Sequence, residues 1–197
     1  GVQTCALPIC RREFLKRSGV MIVGFSTAPS FAERAFALQA QGLAVPDYPT
    51  FELNAVDSFI EIHGDGSVLV KIGKINNGQG TPTSWAMMAA EELDVPLSKV
   101  DVRFGDTAGT PDQGGTGGSN GVSSVYGPLR QAAATARQAL LEMAAKKLGV
   151  PAGSLTVSEG VISGGGKSAS YAELIADKKF DLTFSDKVAV KDPAQFR

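Results

Sequence analysis

The chain has 197 residues, 43 % of them apolar, enough for one domain-sized core and too hydrophobic for a peptide or a disordered tail. Residues 1–40 carry five Lys/Arg (Arg11, Arg12, Lys16, Arg17, Arg34) against Glu13 and Glu33, a balance of +3, which leaves −4 on the remainder and the total of −1. A mildly acidic body with scattered cations excludes nucleic acid as a partner, and two Cys with one His are too few ligands for a zinc site or a protein-held iron–sulfur cluster.

Residues 1–10 precede a paired arginine, lack a starting Met and read as a non-native leader, so Cys5 and Cys10 receive no functional weight. Residues 11–40 run from a basic head (Arg11-Arg12-Glu13-Phe14-Leu15-Lys16) through a short apolar stretch to small residues near Ala32 and Ala37. That is the layout of an export signal, and the paired arginine gives it a twin-arginine character. An amphipathic N-terminal helix is the alternative. Its apolar stretch is too short for a bilayer core that needs about 20 residues. A linker follows over 41–57.

The body, 58–197, is expected to fold as α+β. Residues 59–63 and 67–72 alternate apolar and polar about Gly64-Asp65-Gly66, which predicts a β-hairpin with His63 as a surface residue beside its turn. Trp85, Met88, Ala89 and Leu93 recur at helical spacing, with Thr81 as the expected N-cap, Pro82 as first helical residue, Glu91 and Glu92 facing solvent, and a stop before Pro96. Residues 100–104 read as a strand. Residues 105–127 then hold eight of the chain's 23 glycines and no Lys or Arg, a composition that serves backbone freedom and close approach rather than side-chain packing. From Pro128 a long helix is predicted through Leu129, Ala133, Ala136, Leu140, Met143 and Leu148 to a stop at Gly149. A short hairpin over 155–163 and a helix over 171–177 complete the pattern of a mixed sheet with packed helices.

Two glycine-rich segments each run toward a helix, Asn77-Gly78-Gln79-Gly80 and Gly114-Gly115-Thr116-Gly117-Gly118-Ser119. Free backbone N–H groups at such places bind anions without cationic side chains. Neither segment is a P-loop or a dinucleotide fingerprint. Gly117-Gly118-Ser119-Asn120-Gly121 fits the Gly-x-Ser-x-Gly of hydrolases, which would make Ser119 a nucleophile, although His63 lies upstream rather than downstream. A non-catalytic glycine-loop anion-binding module is a further alternative.

Several motifs in one order carry a resemblance: the twin-arginine segment, Gly73-Lys74-x3-Gly78-Gln79-Gly80, Ala89-Ala90-Glu91-Glu92-Leu93, Gly105-Asp106-Thr107, and Gly115-Thr116-Gly117-Gly118-Ser119 before Pro128-Leu129-Arg130-Gln131-Ala132. Over residues 11–197 the chain resembles the molybdopterin-binding large subunit of the xanthine dehydrogenase/aldehyde oxidase family, most of all the isoquinoline 1-oxidoreductase β-subunit type. The resemblance implies that 58–197 is the N-terminal part of a longer molybdopterin-binding domain. It implies molybdenum on a pterin dinucleotide in the cytosine form, and hydroxylation of an N-heteroaromatic ring or an aldehyde with oxygen from water. Gly78, Gln79, Gly80, Thr116, Gly117, Gly118 and Ser119 would contact the cofactor. No catalytic residue and no metal ligand is expected on this chain, the general-base glutamate lying in a C-terminal part beyond it. A small [2Fe–2S] subunit, a cytochrome c electron acceptor and a periplasmic or periplasm-facing membrane location are the implied setting. Asn76-Asn77 stands where the family carries an acidic-hydrophobic pair.

Overall fold

The computed structural model describes residues 49–197 apart from 176, 185 and 197. The expected leader, the signal with its twin arginine, Cys5, Cys10 and most of the linker lie outside the described residues. The linker's last residues already belong to the fold. Val56 is fully buried, its N–H donates to the Leu182 carbonyl at 2.8 Å, and both Asp57 oxygens accept from the backbone of Phe180 and Asp181 at 2.7 Å.

The predicted hairpin forms as β1 (Ile60–Ile62) and β2 (Val68–Ile72), antiparallel with Ile60 opposite Val70. A crossover through α1 (Thr81–Leu93) returns the chain as β3 (Val100–Phe104), parallel to β2, so the sheet is mixed in the order β1-β2-β3. Alternation places Ile60, Ile62, Val68, Val70 and Ile72 in the core. The second helix, α2 (Asn120–Leu148), packs on α1. Its Ala132, Ala133, Ala136 and Ala144 are fully buried, as are Trp85, Ala89 and Leu93 of α1. Small residues on this face bring the two helices close.

Four expectations are corrected. The long helix begins eight residues before Pro128, which sits inside it. Residues 120–127 have poor helix propensity (two Gly, two Ser), so the apolar pattern becomes visible only past the proline. Tertiary contacts hold this stretch instead: the Trp85 indole donates to the Gly121 carbonyl at 2.9 Å, and Val125 is buried. At α1 the cap is Gly80 (φ 77°), not Thr81, because the Asn76 side chain accepts from the Gly80 N–H at 3.1 Å and from the Thr81 hydroxyl at 3.4 Å. Glu92 does not face solvent. It is 1 % exposed and accepts from Arg130 Nε of α2 at 2.6 Å.

The fourth correction concerns the last sheet, which has three antiparallel strands: β4 (Thr156–Ser158), β5 (Val161–Gly164) and β6 (Lys167–Ser170). Lys-Ser-Ala-Ser has no β-branched or aromatic residue to announce a strand. The turn specifies it: Gly165 and Gly166 have φ of 58° and 73°, which gives a two-residue connection the twist a hairpin needs. Ile162 and Ala169 face the core, and α3 (Tyr171–Ile175) closes the domain. The class is α+β, as expected. No helix among the described residues is long and apolar enough to cross a membrane.

Candidate anion-binding site

The two glycine segments, about 40 residues apart in sequence, meet at the C-terminal end of β2. Gly73 N–H donates to Gln113 Oε1 at 2.9 Å, and Ile75 N–H to Thr116 Oγ1 at 3.0 Å. At Gly73 the approach is backbone on backbone, since a Cβ there would stand 1.9 Å from the Pro111 carbonyl oxygen. Lys74, 2 % exposed, sends Nζ to three successive carbonyls, Gln113 at 2.7 Å, Gly114 at 3.2 Å and Gly115 at 2.9 Å.

Asn120, the first residue of α2, fixes the other end of this loop. Its Oδ1 accepts from Gly117 N–H at 2.9 Å and its Nδ2 donates to the Gly115 carbonyl at 3.1 Å. Ser119 precedes it as a left-handed cap, φ 61°, with no side-chain capping bond. In the first segment Gln79 Oε1 accepts from Asn77 N–H at 2.7 Å, which leaves the Gln79 amide NH2 free to donate. That nitrogen lies within 3.9 Å of the space a Gly121 Cβ would take, and the Thr116 and Thr81 methyls stand within 4.0 Å of the same point. Gln79, Thr116 and the start of α2 are therefore together. Gly78, Gly80, Gly117, Gly118 and Ser119 border this group on the exposed side.

Among the described residues, the N–H groups of Gly78, Gln79, Gly115, Thr116, Gly118 and Ser119 have no protein acceptor. With the first turns of α1 and α2 beside them, they form a ledge of donors at two positive helix ends. Gly115 and Gly117 are the informative residues. Neither has a positive φ, and a Cβ on either would touch nothing within 4 Å. Among the described residues neither a positive φ nor packing requires glycine there, so the space above them is open to a group that approaches the backbone. The ledge is exposed to half-buried along its length, and two cavities of about 340 and 510 Å³ lie elsewhere, one beside the end of α1 and one around Glu61, His63 and Lys71.

The hydrolase arrangement does not form. The residues leading into Ser119 make no strand, whereas a nucleophile elbow turns from strand to helix. His63 sits at the opposite end of β2 from the glycine segments, about 17 Å away at 3.3 Å per residue, with Nδ1 3.2 Å from Asp177 Oδ1. It is the surface residue beside a turn that its position suggested. Two residues that organise the ledge, Lys74 and Asn120, are absent from the set expected from sequence. The available signal for Lys74 is its place at the end of an apolar strand, where an unpaired cation needs a reason. No group of three or more His, Cys, Asp or Glu among the described residues could hold a metal ion.

Residues 15–196 match the family model described as the molybdopterin cofactor-binding domain. The chain is 34 % identical over 188 residues to a subunit of nicotinate dehydrogenase from Pseudomonas putida, covering 95 % of this chain and 15 % of that protein. It is 28 % identical over 187 residues to the isoquinoline 1-oxidoreductase β-subunit of Brevundimonas diminuta, covering 89 % of this chain and 23 % of that one. Among solved structures, Cu,Mo-CO dehydrogenase in its carbon monoxide reduced state superposes with a TM-score of 0.52 and 30 % identity, over 58 % of this chain and 15 % of that one. The chain thus spans 15 % to 23 % of the length of these curated relatives.

Proposed function

The chain belongs to the molybdopterin cofactor-binding domain family, of the xanthine dehydrogenase/aldehyde oxidase type, and from that premise we propose that its two glycine segments hold the anionic part of the pterin cofactor in a molybdenum hydroxylase. The observation that carries this reading is the ledge. The unpartnered N–H groups of Gly78, Gln79, Gly115, Thr116, Gly118 and Ser119 lie along it, and nothing among the described residues explains why Gly115 and Gly117 are glycine. A large, multiply charged cofactor needs donors spread over such a length and close backbone approach.

In this reading Gly78, Gly118 and Ser119 offer free backbone donors to phosphate oxygens, while Gly80 and Gly117, whose N–H groups are held by the Asn76 and Asn120 side chains, admit the cofactor to close approach. Gln79 turns its free NH2 to the cofactor while its oxygen is held by Asn77 N–H, and Thr116 keeps the two segments in register through Ile75. Bound there, the cofactor supplies two-electron oxidation of a substrate carbon with oxygen taken from water. The residues of this chain bind and orient it. None of them is assigned a proton-transfer role, because Glu92 is consumed by Arg130 and Glu91 and Glu159 line a cavity elsewhere.

The finer parts of the proposal are the cytosine dinucleotide form and an N-heteroaromatic or aldehyde substrate, the former class supported by the names of the nicotinate and isoquinoline relatives. A small [2Fe–2S] subunit would carry electrons on, supported by relatives that are named as single subunits of larger enzymes. A cytochrome c acceptor and twin-arginine export to the periplasm complete the setting, the latter supported by Arg11-Arg12 and the apolar stretch behind it.

The test is Gly117→Asp in the full-length enzyme. It places a Cβ and a negative charge where a phosphate would approach. Molybdenum per protein, measured by mass spectrometry, should fall to background, whereas Ser119→Ala should weaken retention and not abolish it. Full molybdenum occupancy in Gly117→Asp removes the assignment of this loop.

A further inference from the structure

Lys74 is buried without an anionic partner. Among the described residues no carboxylate forms an ion pair with it, and its three N–H donors are matched one to one by the carbonyls of Gln113, Gly114 and Gly115. The described peptide bonds are trans, and in a trans unit the carbonyl of one residue and the N–H of the next point in opposite directions. Three carbonyls gathered on one ammonium therefore turn the N–H groups of Gly114, Gly115 and Thr116 away from it, toward the outer face of the loop. An extended chain would alternate these directions. Gly114, φ 72°, breaks the alternation, and its own N–H is taken by Asp112 Oδ1 at 2.9 Å. The Gly115 and Thr116 N–H groups are left for a ligand.

We infer that Lys74 is a positioning residue that sets the polarity of the glycine loop, drawing three carbonyls inward so that the loop presents N–H groups, backed by an uncompensated positive charge, to a phosphate-bearing anion. The inference rests on the proposed cofactor site and adds a residue to it. Without the ammonium, three carbonyl oxygens lose their shared donor and at least one would rotate outward, and an outward carbonyl repels the anion that an N–H attracts. The charge itself adds attraction that weakens with salt, because the loop is open to solvent.

The experiment uses the full-length enzyme with Lys74→Met, Lys74→Gln and Lys74→Arg, and Gly117→Asp as reference. Three quantities are measured: molybdenum per protein, affinity of the cofactor-free enzyme for inorganic pyrophosphate at low and high salt, and amide exchange over 113–119. Lys74→Met should lose about ten-fold or more in pyrophosphate affinity, as expected for hydrogen bonds to a charged group, with faster exchange at Gly114 and Gly117, whose N–H groups are bonded to Asp112 and Asn120 in the parent, a flattened salt dependence and a parallel loss of molybdenum. Lys74→Arg, which keeps the charge but presents it on a larger planar fork, should recover part of the affinity lost in Lys74→Met.

The inference is overturned if folded Lys74→Met or Lys74→Gln binds pyrophosphate and molybdenum as the parent does, or if Lys74→Arg is no better than they are. Should both neutral variants fail to fold, Lys74→Arg decides: molybdenum as low as in Gly117→Asp sinks it. If Gly117→Asp loses molybdenum while folded Lys74→Met keeps it, the cofactor site stands and this role for Lys74 falls. If the parent enzyme itself holds no molybdenum and no pyrophosphate, both fall.

Discussion

Removing Arg130 should strongly destabilise the domain. Glu92 and Arg130 are 1 % and 3 % exposed. The Glu92 carboxylate accepts from Arg130 through Oε1 at 2.6 Å and from Lys191 N–H through Oε2 at 3.1 Å. Arg130 also donates to the Tyr126 hydroxyl and the Lys191 carbonyl. Arg130→Met takes the counter-ion from a carboxylate that water cannot reach, and breaking such a pair from one side costs about 3–5 kcal/mol. The value should lie toward the upper end, because the Lys191 carbonyl loses its donor as well. The double variant Glu92→Met/Arg130→Met removes both charges from the α1–α2 interface and should cost less than Arg130→Met alone. Urea unfolding followed by fluorescence of Trp85, the chain's one Trp, measures all three. A loss under about 1 kcal/mol for Arg130→Met, or a double variant as costly as the two single changes added together, would refute the argument.

Glu92 marks the point at which a sequence stops being informative. Periodicity on α1 identifies Trp85, Ala89 and Leu93 as one face, and all three are fully buried. It assigns Glu92 to the boundary of that face, where the outcome depends on what a residue 38 positions away brings opposite. The hairpin, α1, β3 and the end of α2 at Gly149 were legible because alternation, helical spacing and turn residues are local. The start of α2 was not, because Gly121 and Val125 are held by tertiary contacts with poor local propensity. The site divides in the same way. The motifs single out the two glycine segments, and their neighbours in space could not be read from them. Lys74 reaches across about 40 residues to its carbonyls, a pairing that no spacing rule contains.

Gly73→Ala should cost about 3 kcal/mol, the upper end for overpacking, because its Cβ would stand 1.9 Å from the Pro111 carbonyl oxygen with only backbone atoms of Pro111 and Gln113 in the way; a melting temperature like the parent's would contradict the close approach. Burial raises the Tyr171 pKa above its usual 10, and its hydroxyl donates to the Leu93 carbonyl at 2.7 Å. The neutral phenol is thus favoured in the folded state, so this contribution is complete below pH 10 or so and is lost as pH rises further. Urea midpoints from pH 8 to 11 should fall more steeply in the parent than in Tyr171→Phe. Gly115→Ala and Gly117→Ala separate a ligand's requirement for glycine from the protein's own. Both residues have ordinary φ and no neighbour within 4 Å of a Cβ, so alanine is unstrained and restricts the unfolded chain. Each change should leave the cofactor-free protein equal in stability or more stable by about 0.4–1 kcal/mol. Gly118→Ala, at φ 56°, should instead lose stability, since a left-handed position costs alanine about 1 kcal/mol. Yet a methyl group standing over the ledge at 115 or 117 keeps a phosphate from the N–H groups beside it, and molybdenum retained by the full-length enzyme should drop in both variants. Stability maintained while cofactor is lost is the signature of glycine chosen for an absent neighbour. Alanine variants that keep their full molybdenum would mean that nothing approaches the backbone there.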